Sequence, residues 1–315
     1  MAATAKVTVV GAGNVGSNTA RRIAEKDLAH EVVMIDIVEG LPQGLALDIA
    51  QSAPVEGFET RVTGTNDYSE TAGSRVAVIT AGLARQPGMS RMDLLDKNAE
   101  IVTEVTEQLV QHSPDVVLVV VSNPLDEMTY LASLVSGLPK ERVMGMAGVL
   151  DSARLRYFIA ERLGTRPAAV QAMTLGSHGD QMVALPRHAT VNGRPLSELA
   201  DSDTLDELFA RTRDAGAEIV GYLKKGSAFY APSSSATAMV AAIVGDSGDV
   251  LPTCAWTTGQ YGVSDVYLGV PARLDAGGVR EIIELDLDEE EAQRLKEAAE
   301  AIRTKCEELR SRREA

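Results

Sequence analysis

Cysteine is scarce in this chain of 315 residues: Cys254 and Cys306 stand far apart, and neither belongs to a CxxC pair or to metal-type spacing. A disulfide framework is therefore not expected, nor a bound metal, and the pair reads as two reduced thiols in a cytoplasmic protein. No run of roughly 18 or more uncharged apolar residues occurs, so nothing is expected to span a membrane. The first residues lead straight into a strand-like run, without the basic region, apolar segment and cleavage site of a secretory signal. Lysine is also sparse, the basic residues being mostly arginine. The net charge of −15 excludes nucleic acid as a partner, because neutralising phosphates takes clustered Lys and Arg. A site for an acidic substrate would have to concentrate its arginines locally. With few aromatics and much Ala, Val, Asp and Glu, this composition suggests a surface adapted to high salt, where self-repulsion is screened.

What is present is ordinary for a soluble globular protein, with 45% hydrophobic and 24% charged residues in a chain long enough for one large or two medium domains. Strand-like runs at residues 6–10, 31–37, 60–64, 75–80, 116–122 and 143–146 alternate with amphipathic stretches. That alternation predicts an α/β fold, a doubly wound parallel sheet of Rossmann type, over residues 1–147. Residues 148–315 read as an α+β domain: a helix at 151–163, short antiparallel strands, helices at 205–225 and 235–245, then strands at 252–263 and 266–268. In residues 288–313, Leu295, Ala299, Ile302, Cys306 and Leu309 fall on one stripe, predicting a docked terminal helix.

The first run is followed at once by Gly11-Ala12-Gly13-Asn14-Val15-Gly16 and then a helix pattern, with Asp36 about 20 residues on at the end of the next strand. Glycines allow the tight turn and close backbone approach, and the helix N-terminus suits a pyrophosphate. Asp36 would accept hydrogen bonds from the adenosine ribose hydroxyls and repel a 2′-phosphate, which favours NAD over NADP.

Of the four histidines, His30 and His112 fall at element ends and read as surface or capping residues, and His188, on a short strand, as structural. His178, in Gly176-Ser-His-Gly-Asp180, reads equally as a solvated loop side chain or as a functional group. Asp151 and Arg154, at i and i+3 on one helix face, are either a local ion pair or two members of a site. Asn123 stands at a turn before Pro124, at the sheet edge where open α/β sheets bind ligands. Arg85 and Arg91 flank the break at Pro87-Gly88, in a loop beyond the strand at 75–80, and read as sensors of an acidic substrate's charge.

In this order the motifs resemble the lactate/malate dehydrogenase family, in its lactate-dehydrogenase-like malate branch, over nearly the whole chain. They are Gly11-Ala-Gly-Asn-Val-Gly16, Asp36, Ala84-Arg-Gln-Pro-Gly-Met-Ser-Arg91, Ser122-Asn-Pro124, Leu150-Asp-Ser-Ala-Arg154 and Gly176-Ser-His-Gly-Asp180. The resemblance implies that His178 is the acid/base, paired with Asp151, and that Arg154 clamps the substrate's C1 carboxylate. It makes Arg91 the polariser of the reacting carbonyl once its loop closes. Asn123 would touch substrate near the nicotinamide, and Val121, Ser122, Asn123 and Asn98 would contact the cofactor. Arg85 stands where lactate-type members typically carry Gln. Facing oxaloacetate's second carboxylate it forms a charge-assisted pair, whereas facing pyruvate's methyl it is an unpaired charge, costing on the order of 3–5 kcal/mol. The expectation is reversible oxidation of (S)-malate to oxaloacetate with NAD, as in the tricarboxylic acid cycle, in a homodimer or homotetramer contacting through the region around residues 40–51. Lactate or another 2-hydroxy acid is the alternative substrate, and a non-catalytic NAD-binding module the alternative class.

Overall fold

The structure, a computed structural model, describes residues 4–83 and 91–314. Arg85 and the side chain of Arg91 lie outside the described residues. The first half alternates strand and helix: β1 (Lys6–Val10), α1 (Asn14–Glu25), β2 (Glu31–Ile35), α2 (Leu41–Glu56), β3 (Arg61–Thr65), β4 (Val76–Ile79), α3 (Arg91–His112), β5 (Val117–Val120), α4 (Leu125–Ser136) and β6 (Val143–Gly145). Its strands pair in parallel in the order β3-β2-β1-β4-β5-β6. The order reverses between β1 and β4, and a crevice opens there at the carboxyl ends of the strands. Strand alternation sends Val76, Val78, Val117 and Val119 to one apolar cluster and Ala77, Ile79, Leu118 and Val120 to the other. Both faces are covered, which is why these strands are apolar without interruption.

The second half comprises α5 (Gly148–Arg162), β7 (Val170–Gln171), β8 (Thr174–Gly176), β9 (Met182–Ala184), β10 (Thr190–Val191), β11 (Arg194–Pro195), α6 (Ser202–Leu223), α7 (Tyr230–Val244), β12 (Val250–Thr258), β13 (Ser264–Asp275), β14 (Gly278–Ile282) and α8 (Glu289–Glu314). The parallel sheet does not end at β6. Cys254 on β12 pairs antiparallel with Gly145, and β13, β8 and β9 continue the same sheet, with β14 pairing on β13. A smaller sheet, β11-β10-β7, closes a separate apolar cluster with α5 and α6.

Several elements differ from the sequence expectation. Helix α7 begins at Tyr230 rather than near Ser235, because Pro232 is tolerated in a first turn and the hydroxyls of Ser233 and Ser235 bond back to the carbonyls of Tyr230 and Ala231. Strand β13 runs on to Asp275, and Pro252 and Pro271 face each other across β12 and β13. His188 lies in a 3₁₀ turn, not a strand, with Nε2 2.8 Å from the Asp286 carbonyl oxygen. The terminal stripe is docked as expected: Leu295, Ala299, Ile302, Cys306 and Leu309 are all buried. Leu295 is fully enclosed, so Leu295→Ala is expected to cost about 2–5 kcal/mol through lost transfer energy and the cavity left behind. Urea unfolding checks this, and an unchanged midpoint would contradict the packing.

Candidate active site

The crevice is built first by the turn after β1. Gly11 has φ +97°, and a Cβ there would lie 2.8 Å from Thr80 Oγ1 and 2.9 Å from the Ala81 nitrogen. A Cβ on Gly16 would overlap the Gly11 carbonyl oxygen. The turn is therefore as tight as the spacing required, and Thr80, just past the end of the neighbouring strand β4, donates its hydroxyl to the Val10 carbonyl at 2.9 Å. Gly13 caps α1 without a side-chain bond, has open space around its Cα, and the first turn carries no acid. The leading N–H groups of α1, from Asn14, Val15 and Gly16, are thus left to an anion. Asp36 follows β2 and touches this turn: its carboxylate accepts the Ala12 N–H at 2.6 Å and the Val38 N–H at 2.9 Å. This donor set and the bare approach at Gly13 fit the pyrophosphate and ribose of NAD.

The next wall comes from the ends of β4 and β5. Ser122 donates to the Ala81 carbonyl at 2.5 Å, and the Val121 N–H to that of Ile79 at 2.9 Å. Asn98, buried on α3, holds three backbone groups with one amide. Its Nδ2 donates to the carbonyls of Asn123 at 2.6 Å and Leu83 at 3.2 Å, while its Oδ1 accepts the Leu83 N–H at 2.7 Å. That amide is spent on the protein, a structural tie that the sequence reading did not foresee.

The third wall joins the second half. Asp151 and Arg154 lie on the first two turns of α5, and His178 on the loop between β8 and β9. His178 Nδ1 is 2.9 Å from Asp151 Oδ2, whereas Arg154 Nη1 is 3.5 Å from Asp151 Oδ1. The contact with histidine is therefore the tighter of the two, and it leaves Nε2 for a ligand. Burial, the largest influence on the His178 ring, disfavours its charged form. The charge of Asp151, its hydrogen bond and the charge of Asp126 together outweigh burial, and the pKa lies above the ordinary 6.5. Burial lowers the Arg154 pKa against the opposing pull of Asp151. Its Nε is buried with no hydrogen-bond partner among the described residues.

His178, Asp151, Arg154, Asn98, Val121, Ser122, Asn123 and Val15 line one cavity of about 470 Å³. Gly11, Ala12, Gly13, Asn14, Gly16 and Asp36 form the turn and strand end beside it. The sequence reading missed Thr80 and Arg213, which line the same cavity, and Asp126, which stands behind His178. An acid in a helix's first turn ordinarily reads as a complement to the helix dipole, and burial at one position leaves no periodic trace.

Two family descriptions match the chain: the NAD-binding domain of lactate/malate dehydrogenase over residues 5–145, and the C-terminal α/β domain of the same family over residues 148–312. A malate dehydrogenase from Chloroherpeton thalassium is 54% identical over 306 residues, covering 97% of this chain and 99% of that protein. The solved malate dehydrogenase of Salinibacter ruber superposes with a TM-score of 0.94 at 51% identity, covering 98% of this chain and 99% of that one. A lactate dehydrogenase from Cryptosporidium parvum, solved with lactic acid and NAD, gives 0.94 at 39% identity, covering 98% of this chain and 99% of that one. In sequence and in fold alike, the chain belongs to the lactate/malate dehydrogenase family.

Proposed function

We propose that this protein is an NAD-dependent malate dehydrogenase, catalysing the reversible oxidation of (S)-malate to oxaloacetate. The observation that carries the reading is Arg154, a sunken guanidinium whose Nε has no partner among the described residues and whose nearest anion is already engaged by His178. A planar cation so placed is a receptor for the substrate's C1 carboxylate. The relatives named malate dehydrogenase support a dicarboxylate.

Bound NAD supplies the hydride acceptor. The leading N–H groups of α1, from Asn14 to Gly16, would hold its pyrophosphate, Asp36 its ribose, and the backbone of Val121 to Asn123 would border its reactive ring. Asn98 contributes by fixing the Asn123 carbonyl. In the oxidative direction neutral His178 takes the malate hydroxyl proton at Nε2 as the C2–O bond becomes a carbonyl. Asp151 stabilises the imidazolium that results, and Asn123 adds a hydrogen bond to substrate. Arg91 is assigned the polarisation of the C2 oxygen and Arg85 the second carboxylate, on the sequence motif. Residues 1–147 are the cofactor half in this reading and 148–315 the substrate half, in a cytoplasmic enzyme of the tricarboxylic acid cycle. Exposed Leu47 and Val55 on α2 support a homodimer or homotetramer. Light scattering is expected to return an oligomer, and a monomer would overturn that part.

Because the His178 pKa is raised above 6.5, kcat/KM for malate oxidation is expected to rise with pH through a midpoint above that value. Oxaloacetate reduction, which needs the protonated ring, falls over the same window. Asp151→Asn should move the midpoint down and lower kcat by on the order of 10²-fold. A midpoint that stays in place would remove Asp151 from the mechanism. The substrate itself is tested by NADH oxidation with oxaloacetate against pyruvate. Wild type should prefer oxaloacetate by about 10²-fold or more, and Arg85→Gln should lose that preference while gaining on pyruvate. Undiminished oxaloacetate activity in Arg85→Gln would defeat the assignment.

A further inference from the structure

Asp126 sits on the first turn of α4 yet is only 5% exposed. Its two oxygens meet donors from two other elements. Oδ2 accepts the backbone N–H of His178 at 3.2 Å, and Oδ1 accepts the Cys254 thiol of β12 at 3.4 Å. We infer that Asp126 is a positioning residue for His178, a buried carboxylate that pins the histidine's backbone to α4 and places a second negative charge near its ring. The inference rests on the proposed role of His178 as the acid/base.

Asp151 holds the histidine by its ring and Asp126 by its main chain, from two different helices. One hydrogen bond leaves a ring free to pivot, and a second attachment on the backbone removes that freedom. The surroundings set the pH at which the second anchor is ionised. Glu127, next in sequence and paired with Lys305 at 3.7 Å, adds like charge. Cys254 and Cys306 are both buried, Cys254 against the carboxylate, and burial raises the Cys254 thiol pKa well above its usual value, so it remains an S–H donor. On the other side of the His178 ring lie Asp151 and Arg154. A carboxylate can accept from both the N–H and the S–H, whereas a carboxylic acid must turn an O–H toward one of them. Burial, reinforced by Glu127, pushes Asp126 up to about 6, while His178 and the two hydrogen bonds pull it back. The anchor is therefore intact at neutral pH and weakens as pH falls through about 6. That loss is separable from the titration of the histidine, whose protonated form is the one that oxaloacetate reduction requires.

The test compares wild type, Asp126→Asn and Asp126→Ala in oxaloacetate reduction between about pH 5 and pH 9, together with an NMR titration of the His178 ring that needs no substrate. Wild type should show an acid limb near pH 6, and Asp126→Asn, which keeps an acceptor oxygen but no charge, should lack it. In the same variant the His178 ring should titrate at lower pH than in wild type. Asp126→Ala, with neither acceptor nor charge, should lose kcat on the order of tenfold or more, with NADH affinity within roughly twofold. Because its raised pKa makes ionised Asp126 a cost to stability above about pH 6, Asp126→Asn should melt no lower than wild type at pH 8, and it decides the question alone if Asp126→Ala does not accumulate. An acid limb and a ring titration both unchanged in Asp126→Asn would overturn the inference. Absence of oxaloacetate turnover in wild type, alongside a shifted ring titration in the variant, would instead overturn the functional reading and leave the Asp126–His178 coupling standing.

Discussion

The 2.9 Å contact between His178 Nδ1 and Asp151 Oδ2 is the interaction on which the arrangement of the crevice depends. A hydrogen bond with a charged partner is worth about 1.5–3 kcal/mol, and burial strengthens the attraction while raising the cost of each charge. Here the attraction prevails, since the imidazole holds its proton more firmly than in water despite its enclosure. The contact can form only because α5 starts within three residues of β6 and the loop after β8 reaches the same helix turn. Both conditions follow from a sheet that runs unbroken from β3 to β9, carrying the second half's strands in register with the first. Two regions joined by a flexible linker could not hold a donor and an acceptor at that separation.

The parallel half of the fold was legible in the sequence because its signals repeat. Apolar strands buried on both faces, amphipathic helices and a glycine turn followed by Asp36 are each a pattern with a period, and the structure places Asp36 against the turn at Ala12. The docked stripe of α8 was legible for the same reason. The continuation of the sheet past β6 was not, because β12 meets β6 through a residue pair more than a hundred positions apart, and local pattern holds no register between them. The early start of α7 was hidden by serines that favour loops until their hydroxyls find carbonyls one turn back.

The site shows the same division. His178, Asp151 and Arg154 could be placed on a loop and on one helix face, but whether Asp151 served histidine or arginine depended on a difference of 0.6 Å between two contacts, 2.9 and 3.5 Å. Asn98 lines the cavity as its assignment to the cofactor side required, but the ties of its amide to Leu83 and Asn123 had no counterpart in the sequence pattern. Asp126 gave no signal at all. Its meaning lies in a main-chain N–H of a residue 52 positions later, and backbone donors have no letter in a sequence.

The bare N-terminus of α1 has a thermodynamic consequence. A helix start with neither a side-chain cap nor an acid in its first turn forgoes stabilisation that most helices obtain from their own sequence, about 1 kcal/mol for the cap alone. A dinucleotide's pyrophosphate bound there would complete that end only in the folded chain. Linkage then makes the unfolding free energy a function of free NAD, rising by about 2.7 kcal/mol at a concentration one hundred times the dissociation constant. A turn that took the cofactor in this way would couple the lifetime of the folded protein to the supply of its own coenzyme.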